Sequence, residues 1–402
     1  MESYRSSTTN VIGFCLLPSE LIHYIILRLA LPDVVRLKSV NKSISLMISD
    51  QDFVRDYNTQ SSSATWIFIY KKRWHRDSML QGYTSCSNRW FKILIADMLK
   101  SVVPPGEDLY LLTASGNIFL FALNNSLEVI SVNTMTRTVK KIPPSPLGPR
   151  GTSSWRRSGI KLLSCPRDSD HFRFLFVEMN ENQPVLFEYN SITNDWSCTD
   201  VEENISGIKR GRDYYGTIFL SAHNGRSGSV IIAKGPNQDE CDTPVVVRPR
   251  FTGLGENGGG QLAVGFSWGN TIDRLHVYGD GNVMIVKSNG VEDVTGRVIR
   301  MLNGLEVWGL SPNGRQWELI SRVPNGLVEK IKKPYGAMMG CLEQKHGVVR
   351  AILMSNLEGV WDIIWLCYNV ESKIWNWLPV PDCKMKGANM AGIAFSSGLT
   401  LM

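Results

Sequence analysis

Two glycine-containing motifs have the spacing of catalytic or cofactor-binding turns. Gly265-Phe266-Ser267-Trp268-Gly269 fits G-x-S-x-G, the turn that exposes a nucleophilic serine. That turn works between a strand and a helix, whose N-terminal N–H groups face the developing oxyanion. Here Asn270-Thr271-Ile272-Asp273 leads into Leu275, Val277 and Tyr278, which alternate as a strand. Gly253-Leu254-Gly255-Glu256-Asn257-Gly258 fits G-x-G-x-x-G, which binds pyrophosphate where a helix succeeds it. The next apolar run, Gln261-Leu262-Ala263-Val264, is again strand-like, so an inter-strand loop is the expectation. The six histidines, His23, His75, His171, His223, His276 and His346, show no metal-ligand spacing, and no H-E-x-x-H occurs. None of the eight cysteines forms a C-x-x-C pair. The sequence assigns no catalytic residue, no metal ligand and no cofactor.

The elements that carry these motifs are bounded by composition. The chain has 402 residues, 43% apolar and 20% charged, which is globular and too long for one ordinary core. It suits a small domain followed by a large repeat domain, or two to three medium ones. A net charge of +6 over this length does not mark a nucleic-acid protein. Free thiols are expected in a reducing compartment, so the expected location is cytoplasmic, nuclear or both. The apolar run Val11–Leu17 has only Arg5 before it, and Pro18-Ser19-Glu20 stands where a cleavage site would be. No signal peptide is expected. No uncharged apolar stretch reaches membrane-helix length, so no membrane association is expected either.

The densest basic run is Lys71-Lys72-Arg73-Trp74-His75-Arg76. It reads as a solvated hairpin loop, a nuclear-import signal, or a basic–aromatic recognition loop.

From Leu17 to Phe53 the pattern is helical. Pro18 suits a first helical position and Glu20 the positive helix end. Leu21, Ile22, Ile25, Ile26 and Leu29 fall on one face at helical spacing. Pro32-Asp33 opens a second helix with Val34, Leu37 and Val40, and Asn41 and Ser43 open a third with Ile44, Met47 and Ile48. Three short helices bury little surface alone, so their apolar stripes must dock on a partner or on the rest of the chain.

Leu17-Pro18, Leu21, Ile25, Leu29, Leu31, Val34, Arg36-Leu37, Val40, Lys42 and Phe53 resemble an F-box. The resemblance covers about 40 residues. Asn41 stands where that family usually has Cys, and Ile44 where it has Trp. The resemblance implies binding of a Skp-type adaptor, and through it a cullin ubiquitin ligase. The adaptor-binding residues it implies are Leu17, Pro18, Leu21, Ile25, Leu29, Leu31, Val34, Leu37 and Val40.

Past residue 62 the reading changes to strand. All twelve Trp lie at or beyond Trp66, and short β-rich runs alternate with turn residues. One element recurs: an aromatic or apolar residue, a polar turn, then Trp or Val seven positions on. It begins at Tyr83, Val132, Tyr189 and Tyr368, with a looser copy at Trp308. The intervals in chain order are 49, 57, 119 and 60 residues, so the long one conceals a copy near Val245–Arg248. Six units of about 50 residues match a kelch-type propeller period. The chain thus resembles plant-type F-box/kelch proteins, although the double-Gly signature is poor, with Gly258-Gly259-Gly260 its only run. The first unit supplies three strands, Thr65–Tyr70, Ser78–Tyr83 and Arg89–Lys92. The run Asn389–Phe395 is expected to complete it, closing the ring and removing exposed edges.

The expected fold is α+β by segment: a short three-helix F-box followed by a mainly-β, kelch-like propeller of six blades, with room for a seventh between 251 and 324. The expected boundaries are a flexible 1–12, an F-box-like segment at 13–58 and a propeller at 62–402. Loops such as Lys71–Asp77 and Ser221–Gly228 would share one propeller face, with Arg73, Trp74, Arg76, His223 and Arg226 forming a target-binding surface. The resulting expectation is a non-catalytic substrate receptor of an SCF-type ubiquitin ligase, bridging the adaptor to an unknown target protein. The alternatives are an interaction scaffold outside the ubiquitin system and a propeller enzyme.

Overall fold

Proline and polar caps set the helical segment. In the computed structural model Pro18 precedes the first helix rather than opening it, and its carbonyl accepts from the N–H groups of Leu21 and Ile22, both at 3.1 Å. This helix, α1, spans Ser19–Leu27. Helix α2, Leu31–Leu37, starts with Pro32 in its first turn. Helix α3, Lys42–Ser49, is capped by Asn41, whose side chain accepts from Ile44 N–H at 2.8 Å.

A fourth helix, α4, spans Gln51–Ser61, where the sequence pattern predicts three helices and an end to the segment at residue 58. Asp50 starts it by accepting from the N–H groups of Asp52 and Phe53. Its mostly polar sequence carries only Phe53, Val54 and Tyr57 as an apolar stripe. Phe53 and Tyr57 are buried and stacked, and Tyr57 Oη donates to Leu29 O at 3.0 Å.

The structure describes residues 17–61, 64–71, 78–84, 87–155, 159–164, 170–181, 183–203, 217–224, 228–235, 243–251, 274–292, 294, 296, 298–311, 314–380, 385–386, 390–397 and 399–401. The chain divides into two compact units, residues 1–64 with 397–402, and residues 65–396. Of the chain's end, the described residues 399–401 group with the helices. The reason is a pairing inside the first unit: the Asn58 amide bonds the backbone of Leu401 through both its groups. Among the described residues no helix is long and apolar enough to cross a membrane.

The second unit is a six-blade β-propeller. Blade 1 places Met390–Ser397 beside Thr65–Lys71, followed by Met79–Thr84 and Arg89–Leu94. The last strand of the ring thus completes its first sheet. Blade 2 runs from Leu109–Ser115 to Thr138–Ile142, and blade 3 from Ile160–Ser164 to Asp195–Asp200. Blade 4 holds Ile218–Asn224, Gly228–Lys234 and Val245–Val247, with Glu202–Glu203 parallel on its edge. Blade 5 runs from Arg274–Gly279 to Gln316–Arg322, and blade 6 from Ala337–Lys345 to Ile374–Leu378. The stretch between 251 and 324 therefore supplies one blade, and no seventh sheet occurs among the described residues.

The repeated element is the hairpin into the outer strand of blades 1, 2, 3 and 6. Tyr83 pairs with Trp90, Tyr189 with Trp196, and Tyr368 with Trp375, with ring centroids 5.3, 5.4 and 4.9 Å apart. Five positions after the starts at Tyr83, Val132, Tyr189 and Tyr368 the chain turns left-handed, at Asn88, Arg137, Asn194 and Lys373, with φ between 49° and 56°. Asn88 and Asn194 also accept from the tyrosine hydroxyls of their own turns, at 2.8 and 2.9 Å.

Each of the last two tryptophans also ties its blade to the one before. Trp196 Nε1 donates to Pro143 O, and Trp375 Nε1 to Ser321 Oγ, each at 2.9 Å. Apolar clusters fill the seams, as where Ile118, Leu120 and Val129 of blade 2 meet Phe174, Phe176 and Tyr189 of blade 3. On the closing strand, where blade 1 meets blade 2, Gly392 has φ +120°, and a Cβ there would lie 2.3 Å from Leu111 O. Glycine lets the closing strand approach blade 2.

Candidate functional site

The most exposed large apolar side chains of the helical unit lie on α1, on α3 and around α2. Leu21 is 50% exposed, Tyr24 56% and Ile25 40%, while Ile22 and Ile26 are buried. The single apolar stripe read from the sequence is therefore two faces of one helix. Ile22 and Ile26 serve the unit's own core, together with Val34, Ile44, Ile48, Phe53 and Tyr57. Leu21, Tyr24, Ile25 and Arg28 lie at i, i+3, i+4 and i+7 on the other face. Val35, Val40 at 61% and Leu46 at 74% add exposed apolar groups on the following segments. Full burial of such a side chain is worth about 1.5–3 kcal/mol. A small unit that leaves six of them in water presents a surface for a partner.

Of the nine helical positions singled out from sequence, Leu21, Ile25, Pro18 and Val40 are exposed. Leu17, Leu29 and Leu37 are half-buried. Leu31 and Val34, both on α2, are buried inside the unit. Tyr24, Val35 and Leu46 are exposed apolar positions outside that set. Tyr24 sits at helical spacing with Leu21 and Ile25, the signal that could have found it.

The two residues that depart from the F-box pattern have local tasks. Asn41 caps α3, and Ile44 is buried at its first turn. Backbone and Ser19 hydrogen bonds hold the Glu20 carboxyl below its ordinary range at the start of α1. Burial lowers the pKa of Lys38, just after α2.

Arg73, Trp74, Arg76 and Arg226 lie outside the described residues. His223 is placed only by its backbone, in the strand Ile218–Asn224 opposite Ser229. The G-x-S-x-G and G-x-G-x-x-G segments also lie outside the described residues. The strand expected after G-x-S-x-G is present as Arg274–Gly279, and the one expected at Gln261–Val264 lies outside the described residues.

Three cysteines, Cys198, Cys341 and Cys367, are described as free thiols. Burial pushes all three above their ordinary pKa, Cys367 to about 11, so they are held as thiols rather than thiolates. Among the described residues no three His, Cys, Asp or Glu side chains group to hold a metal ion.

The family model described as F-box domain matches residues 14–56, the span of the first three helices and the start of the fourth. Residues 14–56 are an F-box domain. No curated protein matches the sequence. Among solved structures the chain is similar to one in a nidogen/laminin complex, at 6% identity and TM-score 0.40, over 84% of this chain and 100% of that one. It is also similar to TolB from Acinetobacter baumannii, at 10% identity and TM-score 0.40, over 86% and 70% of the two chains. AztD from Citrobacter koseri matches at 11% identity and TM-score 0.33, over 84% and 99%. The order of strands within the six sheets, not these likenesses, carries the propeller assignment.

Proposed function

We propose that this protein is a non-catalytic substrate receptor of an SCF-type ubiquitin ligase. The observation that carries the reading is the exposed Leu21–Tyr24–Ile25 face on a matched F-box domain. F-box domains bind Skp-type adaptors, and an adaptor pocket would take these side chains out of water. The adaptor would in turn connect the chain to a cullin. The β-propeller would present the target, with blades of kelch type as the Tyr–turn–Trp element suggests. The mechanism is proximity: the receptor raises the target's effective concentration beside the ubiquitin-loaded enzyme. Such a receptor supplies no nucleophile of its own. It works in the cytoplasm or nucleus.

The target surface is proposed at Arg73, Trp74, Arg76, His223 and Arg226, whose basic and aromatic types suit an acidic or phosphorylated segment. The test is affinity capture of the full chain against a chain lacking residues 1–58, compared by mass spectrometry. Adaptor and cullin captured only by the full chain would support the reading. Equal capture by both, or by neither, would leave the scaffold reading in its place.

A further inference from the structure

Arg28, the C-cap of α1, lies one turn beyond Tyr24 and is exposed beside it. Its Nη2 donates to Tyr24 Oη, and its Cζ stands 4.6 Å from the centre of the Tyr24 ring. Among the described residues no carboxylate lies within ion-pairing distance of Arg28. The pair thus combines an ordered, exposed aromatic ring with a guanidinium whose charge is left for a partner.

We propose that Tyr24 and Arg28 are the energetic centre of the adaptor interface. This rests on the adaptor reading above. Tyr24 seats its ring in an apolar pocket between the contacts of Leu21 and Ile25, and Arg28 meets a carboxylate on the pocket rim. Three arguments support it. Tyrosine and arginine are the residue types that dominate interface energetics, above all near the centre of a patch. The stacked guanidinium holds the ring in place before binding, which lowers the ordering cost of association. Neither side chain is needed by the core, since the opposite face, Ile22 and Ile26, supplies α1's buried contacts.

The test is titration calorimetry of the full chain with purified Skp-type adaptor at two salt concentrations. Tyr24→Ala should weaken binding about 30-fold, the size of a hot-spot loss. Tyr24→Phe, which keeps the ring, should stay within about threefold of the parent. Arg28→Gln should weaken binding about fivefold and flatten its salt dependence. Circular dichroism should show all three variants folded. Binding by Tyr24→Ala within about twofold of the parent, or unchanged salt dependence in Arg28→Gln, would overturn the proposal while leaving the adaptor reading intact. A parent chain that does not bind the adaptor would defeat both.

Discussion

Asn58 and Leu401 are 343 positions apart in sequence and joined by two hydrogen bonds. Asn58 Nδ2 donates to Leu401 O at 3.0 Å, and Leu401 N donates to Asn58 Oδ1 at 2.6 Å. The side-chain amide copies a backbone pairing and fastens residues 399–401 to α4. Leu399 and Leu401 are buried with it. Asn58→Ala leaves a backbone donor and acceptor of Leu401 without these partners. The expected cost is about 1–3 kcal/mol to the helical unit. Hydrogen exchange along Gln51–Ser61 should quicken, while exchange in the propeller strands should not change.

Closure of the ring makes a second prediction. Gly392→Ala places a methyl carbon 2.3 Å from Leu111 O on a backbone with φ +120°. The conformational strain alone is of order 1–3 kcal/mol, and the clash adds to it. Thermal melting of the propeller should fall by several degrees. Deleting Met390–Ser397 should do more, because it exposes sheet edges and the apolar seam beside Ile67 and Ile69. That chain should aggregate in size-exclusion chromatography.

The repeat turn predicts a stabilising change. Lys373 occupies the left-handed position that Asn88 and Asn194 fill in other blades. Asparagine tolerates that backbone better than lysine. In those two turns it also accepts the tyrosine hydroxyl. Lys373→Asn should therefore raise stability by about 1 kcal/mol. A melting temperature equal to or below the parent's would show that the turns are not equivalent.

Acid stability depends on Glu188. Burial would raise its pKa, but hydrogen bonds from Arg173 and Lys234 outweigh burial and hold it below the ordinary carboxylate range. A pKa lowered by folding stabilises the protein above the unfolded value, about 4.3 for Glu. The contribution is lost as pH falls from there through the folded value. Glu306, between Lys287 and Arg322, is lowered in the same sense. Melting temperature should drop steeply below about pH 4.3. Glu188→Gln should be less stable at pH 7 and show a shallower acid limb.

Much of this architecture is legible in the sequence because it is written in local patterns. The Tyr83, Tyr189 and Tyr368 turns show there because a left-handed turn and a cross-strand aromatic pair need fixed spacing. The features that stay hidden depend on partners far away in sequence. α1 is apolar on both sides, so periodicity alone does not say that Ile22 faces in and Leu21 out. Leu31 and Val34 lie at helical spacing on α2, and only the fold shows that both are buried. The α4 start is masked by polar Gln51, Asp52 and Arg55, and only the Asp50 cap reveals it. Glu202–Glu203 and Arg250–Phe251 are two-residue edge strands, too short to carry any alternation.

The central claim is that the exposed face of α1 binds a Skp-type adaptor. The most direct measurement is calorimetric titration of purified adaptor into the full chain and into Leu21→Asp. A charge at Leu21 is tolerated in the free protein, because half of that side chain is already in water. In an apolar interface it is left without a partner, at a cost of several kcal/mol. The account predicts saturable one-to-one binding by the parent, no detectable binding by Leu21→Asp, and the same propeller melting temperature for both. Undiminished binding by Leu21→Asp, or no binding by the parent, would contradict it.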